Sequence, residues 1–268
     1  MFMEFFAKSS STGITVHIND SKKGDKAVFL LHGYLETMYV WTEFAELLEN
    51  DYRVITIDLP GHGISGTSPE CNGTELCADV VRDMMDIVGL NKCTIGGHSM
   101  GGYVAMACIE KYPERFDKLL IFNSNPYPDA QEKQVLREKE IENIKAGNLM
   151  SIAAESIPHF YKPENLRICN DKIKETIQLC DTHDPMGIVA SLRGLQSRPD
   201  RREDLKKWKK PALWIYGDSD RHMTAERIEF MKKTYPDFNH VVMPDCAHMS
   251  FVEQQRLTLD TVSEFLKC

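Results

Sequence analysis

One hydroxyl set between glycines constrains this chain more than any other feature. Thr94-Ile95-Gly96-Gly97-His98-Ser99-Met100-Gly101-Gly102-Tyr103 spells Gly-x-Ser-x-Gly from Gly97 to Gly101. Upstream, Lys92 to Ile95 reads as a short buried strand; downstream, Tyr103 to Tyr112 reads as a helix with its Val and Ala residues on one side. A chain that turns from strand to helix so abruptly strains the serine backbone. It also leaves no room for a bulky Cβ two positions before or after the serine, and Gly97 and Gly101 meet that demand. The helix starting there brings its positive dipole end close to where an oxyanion would form. The bare pattern also suits a plain turn, so the flanking elements and the motifs further along the chain have to separate the two readings.

The rest of the text alternates. Glu4–Lys8 and Ile14–Ile18 read as strands joined by the Ser9–Gly13 turn, an antiparallel hairpin at a sheet edge. Lys26–Leu31 is a continuous apolar run ending in His32-Gly33, which suits a central strand buried on both faces. A helix at Trp41–Leu48, a strand at Arg53–Asp58, a helix around Leu76–Leu90, the serine strand, its helix and a strand at Lys118–Asn123 follow. This order calls for a mostly parallel sheet with helices on both faces. From about Pro126 to Pro199 the strand signal stops. Amphipathic helical text takes over, including Val135-Leu136, Ile141, Ile144, Leu149, Ile152 and Ile188–Leu195, broken by Pro158, Pro163 and Pro185. We expect a helical insertion at 126–199 folded over the sheet edge, with 1–125 and 200–268 forming one core. Alternation then resumes with strands at Ala212–Gly217 and Asn239–Met243 and helices at Thr224–Lys233 and Ser250–Leu266.

Composition narrows the function classes. At 268 residues and 42% hydrophobic the chain can bury a full core, and its formal charge of −8 argues against a nucleic-acid surface. The basic run Lys206–Lys210 reads as a solvated helix end before Pro211. The first residues read as no signal peptide, and no stretch is long enough to span a membrane. Eight cysteines without a C-x-x-C pair point to reduced thiols in a cytoplasmic protein. Neither H-E-x-x-H nor a Cys/His cluster appears, so no metal is expected. The Leu59–Gly66 loop lacks the Gly-Lys-Ser/Thr ending of a phosphate-binding loop, so no nucleotide cofactor is expected either.

A serine hydroxyl is a poor nucleophile at neutral pH unless a base takes its proton, and that base works best with a carboxylate on its other ring nitrogen. Two late strand exits carry such groups: Gly217-Asp218-Ser219-Asp220 and Asp245-Cys246-Ala247-His248-Met249. Asp218, Asp220 and Asp245 are therefore all open as the acid. His98, His32 and His62 read as bracing residues, His222 as a solvated helix start, and Asp58 as a loop support.

Together, the His32-Gly33 loop, Asp58-Leu-Pro-Gly-His-Gly-Ile-Ser65, Gly97-His-Ser-Met-Gly101, the Gly217-x-x-Asp220 turn and the Ala247-His248-Met249 corner resemble the α/β-hydrolase fold. The likeness is to its cap-bearing esterases and C–C bond hydrolases. It implies a mostly parallel eight-stranded sheet with a helical cap. It also implies Ser99 as nucleophile, His248 as general base and acid, and Asp220 as the orienting carboxylate, with the backbone N–H groups of Tyr34 and Met100 as the oxyanion hole. The reaction so implied is hydrolysis of a small carboxylic ester or thioester with an apolar portion. The alternatives are C–C hydrolysis or a lyase reaction like that of the menaquinone-pathway synthase, with Arg167, Arg193 or Arg198 gripping a substrate carboxylate, then cofactor-free perhydrolysis, or a binding protein without turnover. Ser99 stands against the dehalogenases and epoxide hydrolases of this fold, which need an Asp nucleophile.

Overall fold

The computed structural model describes residues 2–267. In chain order its elements are β1 (Met3–Lys8), β2 (Thr15–Asp20), β3 (Ala27–Leu31), α1 (Thr42–Leu48), β4 (Arg53–Ile57), α2 (Thr74–Ile87), β5 (Cys93–His98), α3 (Met100–Lys111) and β6 (Phe116–Phe122). Helices α4 (Gln131–Lys145), α5 (Leu149–Ser156), α6 (Asn170–Leu179) and α7 (Pro185–Gln196) follow, then α8 (Arg202–Leu205), β7 (Ala212–Gly217), α9 (Ala225–Thr234), β8 (Asn239–Met243), α10 (Ser250–Glu253) and α11 (Gln255–Lys267). The eight strands form one sheet in the order β1-β2-β4-β3-β5-β6-β7-β8. β1 and β2 pair antiparallel and β2 joins β4 antiparallel; every pairing from β4 to β8 is parallel.

Burial explains the strand text. β3 and β7 are buried at every position, as strands covered by helices on both faces must be, whereas edge strand β1 alternates and leaves Phe6 exposed. β5 runs three residues further than the apolar pattern indicated, because Gly96 and Gly97 continue it into the serine turn. One aromatic cluster lies directly beneath the site. Trp41 stacks on Phe251 at 4.0 Å, and Phe44 and Phe122 close around them. Such ring contacts contribute about 0.5–1.5 kcal/mol each beyond burial. They tie the segment after β3 to the start of α10, three residues past His248.

One expectation needs correction. The C-terminal helix is not continuous: Gln254 (φ −126°, ψ 47°) breaks it into α10 and α11. The cause is adjacent, for the Glu253 carboxylate accepts the backbone N–H groups of Ala247 at 2.8 Å and Met249 at 3.3 Å, folding the first turn back onto the His248 loop. Residues 126–199 carry helices and no strand among the described residues, and they meet loops at the carboxyl ends of the strands. Their bonds go to the loops there: His183 Nδ1 accepts from Gly63 N at 2.7 Å, Tyr34 Oη donates to Glu140 at 2.8 Å, and the Phe160 carbonyl accepts from His248 N at 2.8 Å.

Candidate active site

The serine turn is where the sequence demanded it. Ser99 adopts φ 49° and ψ −111°, a region that costs an L-residue about 1–3 kcal/mol, and α3 begins at the next residue. Surrounding bonds hold it there: Ser99 N donates to the Phe122 carbonyl at 3.0 Å, and Ser124 Oγ donates to the Ser99 carbonyl at 2.8 Å. A Cβ on Gly97 would strike the Gly101 carbonyl, and one on Gly101 would strike the Leu31 and His32 carbonyls. Both glycines serve close backbone approach and not a left-handed φ. Met100 is the first residue of α3, so its N–H has no acceptor within the helix.

Of the three candidate carboxylates, Asp220 meets His248: its Oδ2 lies 2.9 Å from His248 Nδ1, and the two residues are 3% and 5% exposed. Asp220 is itself gripped by Asn123 Nδ2 at 2.9 Å and by the backbone N–H of His222 at 2.8 Å. Burial alone would raise its carboxyl pKa, but the charge and hydrogen bond of His248 and these donors hold it below the usual carboxylate range. Burial alone would likewise lower His248, and Asp220 reverses the sign, so its pKa stands above the ordinary histidine value. Asp218 instead accepts the N–H groups of Asp245 at 2.9 Å and Cys246 at 3.3 Å, and Asp245 pairs with Lys162 on the surface.

Ser99, His248, Tyr34 and Met100 line one cavity of about 270 Å³. In the rest of its wall Tyr103, Phe160 and Leu195 are apolar, Lys133, Arg137, Arg198 and Arg227 are cationic, and Glu36 and Asp129 are acidic. Buried Asp129 binds both Arg137 and Arg198, the latter at 2.6 Å, and Arg198 also stacks on Tyr103 at 4.1 Å. No described residue accepts a hydrogen bond or ion pair from the Lys133 ammonium, so this wall carries positive charge in excess. Of the three arginines singled out in the sequence, Arg198 lines the cavity, while Arg167 and Arg193 are exposed and lie outside its lining.

Other residues divide between expected and missed. Asp58 supports its loop as expected, accepting Met38 N at 2.8 Å, and His32 Nε2 accepts Leu59 N at 2.9 Å. His62 does not brace through hydrogen bonds: both ring nitrogens are buried without a partner among the described residues. His222 is exposed before α9, but it also lines the cavity, with its ring 4.8 Å from that of His248, so solvation alone does not describe it. Asn123, Glu36, Lys133 and Arg137 were not singled out. Only Asn123 left a local signal, as the polar residue ending an apolar strand. The basic run is spent locally, with Lys206 on Glu203 and Lys207 on Asp204. Seven cysteines are free thiols; Cys268 lies outside the described residues. No helix among the described residues is long and apolar enough to cross a membrane, and none of their His, Cys, Asp and Glu clusters could hold a metal ion.

Comparison with known proteins places the chain in a family. A family model described as alpha/beta hydrolase fold matches residues 26–255. The chain is 25% identical over 256 residues to a pimeloyl-[acyl-carrier protein] methyl ester esterase of Legionella pneumophila, covering 95% of this chain and 100% of that one. It is 28% identical over 277 residues to a 2-hydroxy-6-oxononadienedioate/2-hydroxy-6-oxononatrienedioate hydrolase of Burkholderia vietnamiensis, covering 96% and 92%. A thermophilic esterase from Thermogutta terrifontis, solved with malate bound, superposes with a TM-score of 0.92 at 29% identity over 100% of this chain and 98% of its own. Strand order, serine turn and family match agree: the chain belongs to the α/β-hydrolase family and is a hydrolase.

Proposed function

We propose that this hydrolase cleaves a small carboxylic ester or thioester through an acyl-enzyme on Ser99, and that the ester bears a carboxylate as well as an apolar portion. The observation that carries the reading is the buried Asp220–His248 hydrogen bond opening onto the cavity that Ser99 lines. His248 takes the Ser99 proton as Oγ attacks the carbonyl carbon. Asp220 keeps Nδ1 protonated and stabilises the imidazolium that forms. The N–H groups of Tyr34 and Met100 receive the oxyanion, His248 then protonates the leaving alcohol or thiol, and a water activated by the same histidine releases the acid. Residues 1–125 and 200–268 form the core in this reading, and 126–199 form a cap that supplies the specificity wall. The protein works in the cytoplasm.

The substrate class rests on Lys133 and on the guanidiniums of Arg137 and Arg198, which outnumber Asp129. A desolvated carboxylate gains most from such fixed donors. The esterase of T. terrifontis was itself solved with malate, a dicarboxylate. The same wall favours the second reading, hydrolysis or lyase cleavage of a C–C bond in a carboxylated substrate.

The test is hydrolysis of p-nitrophenyl esters with neutral acyl chains against the hemisuccinate and its longer homologues. Ser99→Ala is expected to lower kcat by on the order of 10⁴-fold or more. Lys133→Ala is expected to remove a roughly tenfold preference for the carboxylated esters, the worth of one charge-assisted hydrogen bond, and to leave neutral esters unaffected. Equal rates on both series would end the anionic-substrate reading. Fluorophosphonate labelling of Ser99 without turnover of any ester would move C–C cleavage to first place.

A further inference from the structure

His98, the residue before the proposed nucleophile, is 1% exposed and meets hydrogen-bond acceptors on both sides. Its Nδ1 straddles the Glu36 carboxylate, 3.0 Å from Oε1 and 3.1 Å from Oε2, and its Nε2 lies 2.9 Å from the backbone carbonyl oxygen of His248. A carbonyl oxygen only accepts, and so does an ionised carboxylate. Nε2 therefore carries a hydrogen, and Nδ1 between two carboxylate oxygens carries another. We infer that His98 is a buried imidazolium which, with the Glu36 carboxylate, holds the three loops of the active site in register. It is a positioning residue and not a proton carrier; this rests on the proposed roles of Ser99 and His248.

The reach of the pair makes the case. Glu36 Oε2 also accepts the backbone N–H of Gly33 at 2.6 Å, so the pair fixes the loop whose next residue is Tyr34. His98 is covalently joined to Ser99 at the serine turn. Through the His248 carbonyl it grips the loop of the proposed base. A Cβ on Gly33 would come within 2.8 Å of His98 Nδ1 and 3.0 Å of Glu36 Oε2, so only glycine lets this loop close on the pair. Burial would by itself raise the Glu36 carboxyl pKa, yet His98 and the Gly33 N–H hold it below the usual carboxylate range, as a paired anion requires. The titratable groups around the pair are His248, with its ring 4.8 Å from that of His98, then His32, Tyr161 and Cys180. Burial pushes the tyrosine and cysteine up and His32 down, which leaves each of them neutral near pH 7.

The experiment is ¹⁵N NMR of the histidine rings in the full chain, with the His98 signals identified by their loss in His98→Gln. Both His98 nitrogens are expected to carry hydrogen in the wild-type chain at pH 7, as an acceptor on each side of the ring requires. Glu36→Gln keeps the shape but presents an amide that donates to Nδ1. His98 should then become the neutral Nε2–H tautomer, with kcat/KM lowered about ten- to a hundredfold, mostly in kcat, as the loops lose registry. A bare His98 nitrogen in the wild-type chain at pH 7 would overturn the proposal, since a protonated Glu36 would then be the donor. So would a Glu36→Gln chain that has neutralised His98 yet retains full kcat/KM and an unchanged pH profile. The ring signals need no turnover, so an inactive Ser99 would leave this outcome readable.

Discussion

Two histidines sit ring against ring at 4.8 Å, each beside a buried carboxylate, and they differ in what they have left over. His98 has committed both nitrogens, one to Glu36 and one to a carbonyl. His248 has committed Nδ1 to Asp220, while no described residue bonds its Nε2 and the side chain lines the cavity. Burial does not separate them, at 1% and 5% exposure, and neither does the presence of an acid. What separates the proposed brace from the proposed base is the one ring nitrogen that no described residue bonds.

The strongest way to break this comparison is to take the acid from the proposed base. Asp220→Asn should lower kcat by about 10⁴-fold with the fold intact, because the histidine loses both its charge partner and its preferred tautomer. Ester kinetics with a thermal melt would check it, and a fall of less than tenfold would mean that His248 is not held as described. A second, intermediate effect is in the pH profile. Because the pKa of His248 is raised, the acid limb of kcat/KM should have its midpoint above the ordinary histidine value of about 6.5, and Asp220→Asn should move it down. Stability runs the other way. Asp220, with its lowered pKa, stabilises the fold above about pH 4, and His248, with its raised pKa, stabilises it below about pH 6.5. The contribution of the pair is therefore full between those values and fades as pH rises through the His248 midpoint, while activity climbs. Urea midpoints across the same pH range would detect the crossing, and parallel rise of the two would contradict it. The smallest effect sharpens the contrast: Asp218→Asn, two residues from the acid, should change kcat less than threefold and cost about 1 kcal/mol from the Asp245 and Cys246 turn.

Where steric demand is local, the chain could be read before it was seen. Gly97, Ser99 and Gly101 announce the turn once the strand before them and the helix after them are read with them, and the buried strands announce the sheet through continuous apolar text. The choice between Asp218 and Asp220 was not available to local rules. It depends on which carboxylate the turn after β7 consumes for its own N–H groups. The Glu36–His98 pair was out of reach for another reason, since the partners are 62 residues apart and meet only when β3 and β5 lie side by side. The first helix of the insertion forms where its text indicates and buries Ile141 and Ile144, but not on the face that text suggests. Its apolar pair Val135-Leu136 faces solvent at 51% and 56% exposure, while Arg137 is buried against Asp129. A buried ion pair on a helix inverts the usual pattern, and nothing in a hydrophobic period reports that.

The bond from His248 N to the Phe160 carbonyl changes what the insertion is. A detachable cover would touch the core through side chains and could lift without consequence, but this segment holds the main chain of the proposed base. Together with its tie at Gly63 and the bond from Tyr34 to Glu140, that makes it a buttress. Exchanging residues 126–199 with those of a relative would import part of a foreign scaffold for the base along with a new pocket. With the proposed roles of His248 and of this segment, specificity and rate are inherited together.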